Sequence, residues 1–377
     1  FTPLTAGAGL KSITLDRDVL APAQPCVPRV ALGDVATVIY TSGTAGEPKG
    51  VCLTFDNLAQ NIAACTEAAG LGQGEVFLSL LPQFHAFGLT TNTLLPLTLG
   101  ATVHYLPRFT PTAVVSVIAE QRVTVFITVA SMFTALAAMK DAKSEHFGSI
   151  THAVSGGEPL SMPTARRFEE RFGKPICEGY GMTEASPVVT LNRPNARRLG
   201  SVGPPLPGVS VQAVDSEGRA LPPGADGELL VRGHCVMRGY LNRPEQTAAA
   251  VRGGVLHTGD IGRLDADGFV YITGRAKDML IVGGENVFPA EIESVLLEHP
   301  AVAEAAVIGV PDDLRGEVPV AFVIPAEGAA AEGNALRAFC RERLAGYKVP
   351  RDVRVSAELP RGPTGKVLKR ALREQWR

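Results

Sequence analysis

The sequence lacks an excess of charge of either sign. Its 36 Lys and Arg residues and 38 Asp and Glu residues give a formal net charge of −2 over 377 residues. Proteins that bind a nucleic-acid backbone usually have more Lys and Arg than Asp and Glu, so nucleic acid is not expected as a partner. An anionic substrate would have to be held by a few local charges.

Cysteine is scarce and scattered. The six cysteines lie far apart, and no two of them form a C-x-x-C pair. This spacing argues against a zinc knuckle and against a disulfide framework. Scattered thiols of this kind are typical of a reducing compartment, and we expect a cytoplasmic protein.

A long, uninterrupted apolar run is also missing. From Val76 to Pro107 the chain has no Asp, Glu, Lys or Arg, but prolines, glycines and polar residues interrupt the stretch. No clean apolar helix of about 20 residues fits there, so no integral membrane segment is expected. The stretch predicts a buried strand, helix and strand instead.

What is present is an alternation of strand and helix patterns. Short β-branched runs at 35–40, 101–106 and 123–128 are separated by helical patterns, which indicates a mostly parallel sheet with covering helices. After Gly200, short strands between glycines and prolines indicate a small β-rich subdomain. We therefore predict an α/β fold with a partial large domain (1–199), a β-rich subdomain of it (200–276) and a smaller α+β C-terminal domain (277–377).

The most specific local motif is YTSGTAGEPKG at residues 40–50. A loop of hydroxyls, glycines and one lysine directly after a strand can surround a polyphosphate with backbone N–H groups and an ammonium group. It is not a Walker A loop, because Lys49 is followed by glycine rather than Ser or Thr. The residues predicted to bind phosphate are Thr41, Ser42, Gly43, Thr44, Gly46 and Lys49.

This segment resembles the phosphate loop of the adenylate-forming enzymes, which include acyl-CoA synthetases, firefly luciferase and peptide-synthetase adenylation domains. Further segments resemble motifs of that family in the family order: GYGMTE (179–184), TGD (258–260), GRAKDMLIVGGENVFPAEIE (274–293) and PRGPTGK (360–366). The resemblance implies an enzyme that uses ATP, Mg²⁺ and CoA. In such enzymes a carboxylate attacks the α-phosphate of ATP, and a thiol then displaces AMP. The resemblance also implies a mobile C-terminal domain with its hinge at Lys277.

By the same resemblance, separated motifs form one nucleotide site. Adenine would lie between the ring of Tyr180 and a tight turn, with a side-chain acceptor at Glu178 for its amino group. The residues expected around adenine are Gly157, Glu158, Pro159, Glu178, Gly179, Tyr180 and Ile272. Asp260 would accept hydrogen bonds from both ribose hydroxyls, and Arg275 would add positive charge near the ribose and the α-phosphate.

The reacting groups follow from the same family motifs. Glu184 is the expected metal ligand, since Mg²⁺ prefers one or two carboxylates together with phosphate oxygens and water. Thr183 would offer its hydroxyl to the α-phosphate. His85, in LPQFHAFGL, would border the substrate carboxylate, and Phe87 would line the acyl pocket.

Two further positions are expected to act from the C-terminal domain. Lys366 would bridge the substrate carboxylate and the α-phosphate, and such a preorganised charge is worth about 10²–10³ in rate. After rotation of the domain, Gly283 and Gly284 would approach the pantetheine arm, where a side chain would obstruct it.

The expected substrate is a fatty or related apolar acid, because EGYGMTEASPVVTLNRP and FHAFGLT most resemble fatty-acid members. The absence of Asp between Val76 and Pro107 disfavours α-amino acids. An aryl acid as substrate and acyl carrier protein as acceptor remain open. Only 39 residues precede Tyr40, fewer than family members carry there, so a non-catalytic nucleotide-binding remnant is a further alternative.

Overall fold

The computed structural model describes residues 30–41, 48–326, 328–361 and 367–376. A β-hairpin comes first, in which β1 (Val35–Thr41) pairs antiparallel with β2 (Lys49–Thr54). Helix α1 (Phe55–Ala69) follows directly and begins at a capping box formed by Thr54 and Asn57. The sequence predicted β1 and α1 but not β2. The hairpin stands apart from the parallel sheet, because β2 turns the chain back on β1.

A six-stranded sheet forms the centre of the next section. Its strands are β3 (Val76–Ser79), β4 (Thr102–Tyr105), β5 (Val125–Thr128), β6 (His152–Ser155), β7 (Ile176–Gly181) and β8 (Val188–Leu191). They lie in the order β4-β3-β5-β6-β7-β8, and every neighbouring pair is parallel except β7 with β8. The carboxyl ends of the parallel strands therefore share one edge, where ligands bind in open α/β sheets.

Helices pack on both faces of this sheet. They are α2 (Ala86–Leu89), α3 (Leu95–Leu99), α4 (Pro111–Glu120), α5 (Ala130–Ala138) and α6 (Met162–Phe172). On one face Phe126 lies in a cluster with Phe133 of α5 and Phe168 of α6. On the other face Val125 packs with Ile62 of α1 and Leu95 of α3. The predicted parallel sheet with covering helices is confirmed.

The uncharged stretch from Val76 to Pro107 forms β3, the short helices α2 and α3, and β4. A single π-helical turn, Thr90–Leu94, joins the two helices. Much of the stretch is buried against α1 and β5, which accounts for its lack of charge. Within the described residues, no helix combines the length and apolar character needed to cross a membrane.

A second, antiparallel sheet follows, as the short strands between glycines predicted. The strands of this section are β9 (Val209–Val214), β10 (Gly227–Gly233), β11 (Gly239–Tyr240), β12 (Val251–Arg252), β13 (Val255–Leu264) and β14 (Val270–Arg275), with helix α7 (Pro244–Ala250) before β12. All of them except β11 form one sheet. Strand β11 instead joins the first hairpin, where Tyr240 lies opposite Val51 of β2.

The last section is a compact α+β unit with its own core. Its strands are β15 (Leu280–Val282), β16 (Glu285–Val287), β17 (Val302–Asp312), β18 (Gly316–Pro325) and β19 (Asp352–Val355), and its helices are α8 (Pro289–Leu297), α9 (Gly333–Arg341) and α10 (Lys369–Trp376). Ile292 and Leu296 of α8, Leu336 of α9 and Leu372 of α10 are buried against the sheet. A single 3₁₀ turn, Ala276–Asp278, connects β14 to β15. The predicted smaller α+β module is confirmed, while the exact domain boundaries stay predictions.

Candidate active site

Asp260 lies at the centre of a cluster built from three of the predicted motifs. Its side chain is almost fully buried, and Arg275 is its cross-strand neighbour on β14. The Tyr180 hydroxyl donates to Asp260 Oδ2 at 2.6 Å, and Arg275 Nε lies 2.9 Å from Oδ1. Burial, and then the charge of Asp260, raise the pKa of the Tyr180 hydroxyl well above its usual value. Tyr180 therefore remains a hydrogen-bond donor to Asp260.

The turn before Asp260 fixes where its carboxylate lies. Gly259 adopts a φ of 67°, which favours glycine. Thr258 Oγ1 accepts from the Asp260 N–H at 3.0 Å and donates to the carbonyl of Leu229 at 2.7 Å. Glu228 Oε1 accepts from the Gly259 N–H at 3.2 Å. Glu228 was not predicted as part of the site, because it lies 31 positions away on β10.

The predicted adenine-covering turn meets β7 through Glu178. The Leu160 N–H donates to Glu178 Oε1 at 2.9 Å, and Ser155 is the strand partner of Glu178. Burial raises the pKa of Glu178 to about 7, and the hydrogen bond from Leu160 opposes part of that rise. Glu178 thus anchors the turn, and a large share of its carboxyl groups is protonated near neutral pH.

The other predicted residues of this turn differ in their surroundings. Gly157 is exposed and has a φ of 78°, and Pro159 is exposed. The Glu158 side chain is directed toward α5 and not toward Tyr180. Its Oε2 accepts from the Ser131 N–H at 3.1 Å in the first turn of α5. Among the predicted adenine neighbours, Ile272 joins the apolar cluster that Tyr180 packs against. Gly179 precedes Tyr180 on β7 and lies opposite Leu191 of β8.

The segment that contains His85 lies against the same turn. His85 caps α2, where its Nδ1 accepts from the Phe87 N–H at 3.3 Å. A Cβ atom added to Gly156 would lie 2.9 Å from Phe87 Cζ. Gly88 leaves no room for a side chain either, because a Cβ there would lie 2.3 Å from the carbonyl oxygen of Pro82. The structure therefore brings the predicted acyl-pocket aromatic and the predicted adenine turn together.

Glu184 lies in a 3₁₀ turn, Thr183–Ala185, just after β7, and Thr183 is buried there. Tyr240 Oη donates to Glu184 Oε1 at 3.0 Å, and Lys49 Nζ lies 4.9 Å from the centre of the Tyr240 ring. Burial and the neighbouring Glu184 raise the pKa of Tyr240. Tyr240 was not predicted as a site residue, because its partners Glu184 and Lys49 lie in motifs far along the chain.

The chemistry of this position suits a magnesium ion that arrives with its substrate. Over the described ranges, no group of three or more His, Cys, Asp or Glu side chains is arranged to hold a metal. A single carboxylate suits Mg²⁺, which keeps several waters and takes its other ligands from substrate phosphates. Glu184 is therefore a suitable ligand for a metal that bridges protein and polyphosphate.

The ends of the predicted phosphate loop are held together by the first hairpin. Thr41 closes β1 and lies opposite Lys49, which opens β2. Ser42, Gly43, Thr44 and Gly46 fall outside the described residues. The loop is therefore a connection between two paired strands, and Lys49 leaves it beside Tyr240.

Three of the predicted residues of the C-terminal module lie at or just before the β15–β16 hairpin. Gly283 and Gly284 form the turn between these strands, with φ values of 62° and 89°, and a Cβ on either would meet no atom within 4 Å. The Gly283 N–H donates to the carbonyl of Arg315 at 2.8 Å. Lys277 is exposed in the connecting 3₁₀ turn. Lys366 lies outside the described residues.

A cationic groove that the sequence analysis did not identify lies in the same module. It has a volume of about 470 Å³, and its lining includes the side chains of Arg315, Arg337, Arg341, Arg351 and Tyr347. Its acidic member, Asp312, lies 3.0 Å from Arg351, and hydrogen bonds from the backbone at Arg315 and Leu314 lower the pKa of Asp312. The spacing of Arg337 and Arg341 on α9, four residues apart, was the available signal.

Comparison with known proteins agrees with this arrangement. Residues 4–241 match the AMP-binding enzyme family, and residues 291–366 match the C-terminal domain of AMP-binding enzymes. A feruloyl-CoA synthase from an Amycolatopsis species is 40% identical over 375 residues, which is 99% of this chain and 76% of that protein. A long-chain-fatty-acid–CoA ligase of Bacillus subtilis is 39% identical over 91% of this chain, and the match spans 62% of that ligase.

A solved structure, ATP-bound MatB from Rhodopseudomonas palustris, superposes with a TM-score of 0.88 at 36% identity. The match covers 94% of this chain and 70% of MatB. The similarity thus extends over both the sheet domain and the C-terminal module. The chain belongs to the family of AMP-binding, adenylate-forming enzymes, among the acid–CoA ligases.

Proposed function

We propose that the chain activates an apolar carboxylic acid with ATP and transfers the acyl group to CoA. The observation that carries this proposal is the cluster around Asp260. A buried carboxyl group oriented by a phenol and a guanidinium is suited to accept hydrogen bonds from a vicinal diol, such as that of a ribose. Tyr180 and Ile272 present apolar surface beside it for the base.

The reaction follows from these positions in two steps. First, a carboxylate oxygen of the acid attacks the α-phosphorus of ATP, the bond to the β-phosphate oxygen breaks, and pyrophosphate leaves. Arg275 and Lys366 supply positive charge toward the developing negative charge on the α-phosphate. Bound Mg²⁺ would neutralise phosphate charge, with Glu184 as its protein ligand. Then the thiolate of CoA attacks the acyl carbon, and AMP leaves with its phosphate oxygen.

We propose CoA as the acceptor because of the cationic groove. The nucleotide end of CoA carries a 3′-phosphate and a diphosphate, and four arginines suit such a group. Arg315, on the rim of the groove, is hydrogen-bonded through its carbonyl to Gly283 in the turn predicted to meet pantetheine. Bare pantetheine lacks the charged end and should be a far weaker acceptor than CoA.

Replacing groove arginines tests the acceptor. Arg337→Glu with Arg341→Glu should raise the KM for CoA at least tenfold and leave the KM for ATP and for the acid unchanged. The matched control reverses two solvent-exposed arginines of the large domain, Arg166→Glu with Arg167→Glu. Equal KM values for CoA in both double variants would contradict the assignment of CoA to this groove.

A fatty acid is the first candidate for the substrate, and an aryl acid is the second. The fatty-acid assignment rests on the motifs around Glu178 and His85. The aryl alternative is supported by the packing of Phe87 against Gly156, which gives this wall of the predicted pocket a flat ring. Both types of acid occur among the relatives, feruloyl-CoA synthase and the fatty-acid ligase.

The decisive experiment is a pyrophosphate-release screen with the whole protein. Saturated fatty acids of increasing length are compared with benzoic, cinnamic and ferulic acids, and CoA thioesters are then identified by mass spectrometry. A maximum among the fatty acids is expected. A maximum among the aryl acids would support the second candidate. If no acid releases pyrophosphate, the ligase proposal fails and the chain is a nucleotide-binding remnant.

A further inference from the structure

Tyr240 lies in a short segment that is hydrogen-bonded to two of the motifs at once. In strand β11, Tyr240 lies opposite Val51, and the Leu241 N–H donates to the carbonyl of Gly50 at 2.7 Å. Three residues before Tyr240, the Met237 N–H donates to the main-chain carbonyl of Glu184 at 2.9 Å. Residues 237–241 therefore connect the strand that leaves the phosphate loop to the turn that carries Glu184.

The Tyr240 side chain also contacts both motifs, through Glu184 and Lys49. Its hydroxyl donates to Glu184 Oε1 at 3.0 Å, and the ammonium group of Lys49 lies 4.9 Å from its ring centre. A lysine within about 6 Å of an aromatic ring centre is attracted to the ring face. One side chain thus contacts both the candidate metal ligand and the candidate phosphate-binding cation.

The backbone around Tyr240 allows little rotation. Its N–H donates to Thr247 Oγ1 at 2.8 Å, and Thr247 Oγ1 in turn donates to the carbonyl of Arg243 at 2.9 Å. A Cβ on the preceding residue, Gly239, would lie 2.7 Å from the Thr247 side chain. Hydrogen bonds to Thr247 of α7 therefore fix the backbone of Tyr240, and its ring and hydroxyl extend toward Lys49 and Glu184.

Packing alone does not account for the tyrosine hydroxyl. The ring packs with Ile39, Val51 and Leu53, and phenylalanine would fill that space equally well. The hydroxyl restrains rotation of the Glu184 carboxylate. An ionised carboxylate has about four acceptor positions, so a donor at Oε1 leaves capacity for a metal ion.

We infer that Tyr240 is a positioning residue of the nucleotide site. Its hydroxyl orients Glu184 for a metal–ATP complex, and its ring orients Lys49 toward the polyphosphate. The inference rests on the proposed function, which supplies ATP and the metal. The two contacts predict two separable effects, one on binding of metal–ATP and one on binding of ATP itself.

The test uses Tyr240→Phe, which keeps the ring, and Tyr240→Leu, which keeps neither contact. Tyr271 provides a matched control, because its hydroxyl donates to Asp265 Oδ2 at 3.1 Å and Arg263 lies 5.2 Å from its ring centre. Tyr271→Phe and Tyr271→Leu thus remove equivalent contacts on β14, away from Glu184. Thermal unfolding of every variant reports whether the fold is retained.

Two binding measurements separate the contacts. Calorimetric titration with preformed Mn²⁺–ATP gives the Kd of the metal complex, and calorimetry with EDTA gives the Kd of metal-free ATP. Tyr240→Phe should weaken Mn²⁺–ATP about tenfold, the effect of losing a hydrogen bond to a charged group, and change metal-free ATP less than twofold. Tyr240→Leu should also weaken metal-free ATP several-fold. Both Tyr271 variants should bind like the wild type.

The possible results distinguish failure of the positioning role from failure of the proposed ligase activity. Unchanged Mn²⁺–ATP affinity in Tyr240→Phe, or an equal loss in Tyr271→Phe, would overturn the positioning role alone. If the wild-type protein binds Mn²⁺–ATP but releases no pyrophosphate, the proposed ligase activity is contradicted. The Kd values of the Tyr240 variants would still test the positioning role. Wild-type protein that binds no Mn²⁺–ATP would overturn both.

Discussion

Asp260 shows which contacts of a site residue can be predicted from the sequence and which cannot. The TGD motif led to the prediction that Asp260 and Arg275 lie together near the ribose, and the pairing of β13 with β14 makes them neighbours. The hydrogen bond from Tyr180 was not predicted, because 80 residues separate the partners and no local pattern encodes that contact. Tyr240 and Glu228 were missed for the same reason: their importance depends on which strands meet.

Replacing Asp260 by Asn tests the proposed ribose site. The amide loses the negative charge between Tyr180 and Arg275, so charge-assisted hydrogen bonds to ribose become ordinary ones, and the Kd for ATP should rise about tenfold or more. Asp226→Asn is the control, since Asp226 accepts from Thr273 Oγ1 at 2.7 Å and pairs with Arg263 at 3.3 Å on the exposed side. Calorimetry should show an effect only for Asp260→Asn; equal affinities in the two variants would argue against the site.

Glu178 predicts a pH dependence of stability. Its pKa in the folded chain is about 7 against an ordinary value of 4.5, so the folded state binds more protons between these pH values. Stability should therefore be greatest below about pH 4.5 as far as Glu178 is concerned, and fall as the pH rises toward 7. Glu178→Gln keeps an acceptor for Leu160 and removes the ionisation.

The expected outcome for Glu178→Gln is a larger gain in thermal stability at pH 8 than at pH 5, by up to about 2–3 kcal/mol. Thermal unfolding followed by circular dichroism across this range measures it. Glu158→Gln serves as the control, because Glu158 also accepts a backbone N–H, from Ser131. A gain that is the same at both pH values would show that the raised pKa of Glu178 is wrong.

At the scale of helices and strands, the sequence predicted most of the sheet domain. The runs that form β4, β5 and β6 and the helices after β4 and β5 were recognised, because strands of a parallel sheet covered on both faces read as continuous apolar segments. Strand β2 was missed because it begins inside the phosphate-loop motif, at Lys49 and Gly50, and contains only a short apolar run, Val51–Leu53. The joining of β11 to β2 was not predictable either, as a two-residue strand leaves almost no pattern.

The contact between the 155–160 turn and α2 predicts an effect on the acid rather than on ATP. In Gly156→Ala the new methyl group would lie 2.9 Å from Phe87 Cζ, so the ring must move and the predicted acyl pocket changes shape. The KM for the preferred acid should change several-fold, with the Kd for ATP within about twofold of wild type. Adding Phe87→Leu should restore the KM, because the shorter side chain leaves space.

Gly72→Ala is the control for this experiment, since a Cβ at Gly72 would meet no atom within 4 Å. Pyrophosphate release at varied acid concentration gives the KM values, and calorimetry gives the ATP affinity. If Gly156→Ala weakens ATP binding as much as it changes the KM for the acid, the 155–160 turn contacts the nucleotide and not the acid. An unchanged KM for the acid would contradict the assignment of Phe87 to the acyl pocket.

At the scale of the whole molecule, an exposed turn connects the large domain to the C-terminal module in the described part of the chain. Residues 275–277 are exposed, and Phe288 at the start of α8 packs on Gly274 of β14, where a Cβ would lie 2.8 Å from its ring. Exposed backbone between two independently packed cores is where a hinge can absorb a change in φ and ψ. The sequence predicted this position from the GRAKD motif, but the conformations that the hinge joins depend on ligands and are not encoded locally.

The last prediction follows from that hinge and separates two lysines. Lys366 should act only in adenylation, because rotation of the C-terminal module would carry it away before the thiol reacts. Lys366→Ala should lose pyrophosphate release by about 10²–10³-fold yet still convert supplied acyl-adenylate to the thioester. Lys277→Pro fixes φ near −65° and should keep adenylation while losing thioester formation. Lys277→Ala, which removes the side chain and leaves the backbone mobile, should retain both half-reactions. Equal loss of both half-reactions in Lys366→Ala and Lys277→Pro, with folding intact, would refute the rotating module, because a static site would need both lysines throughout.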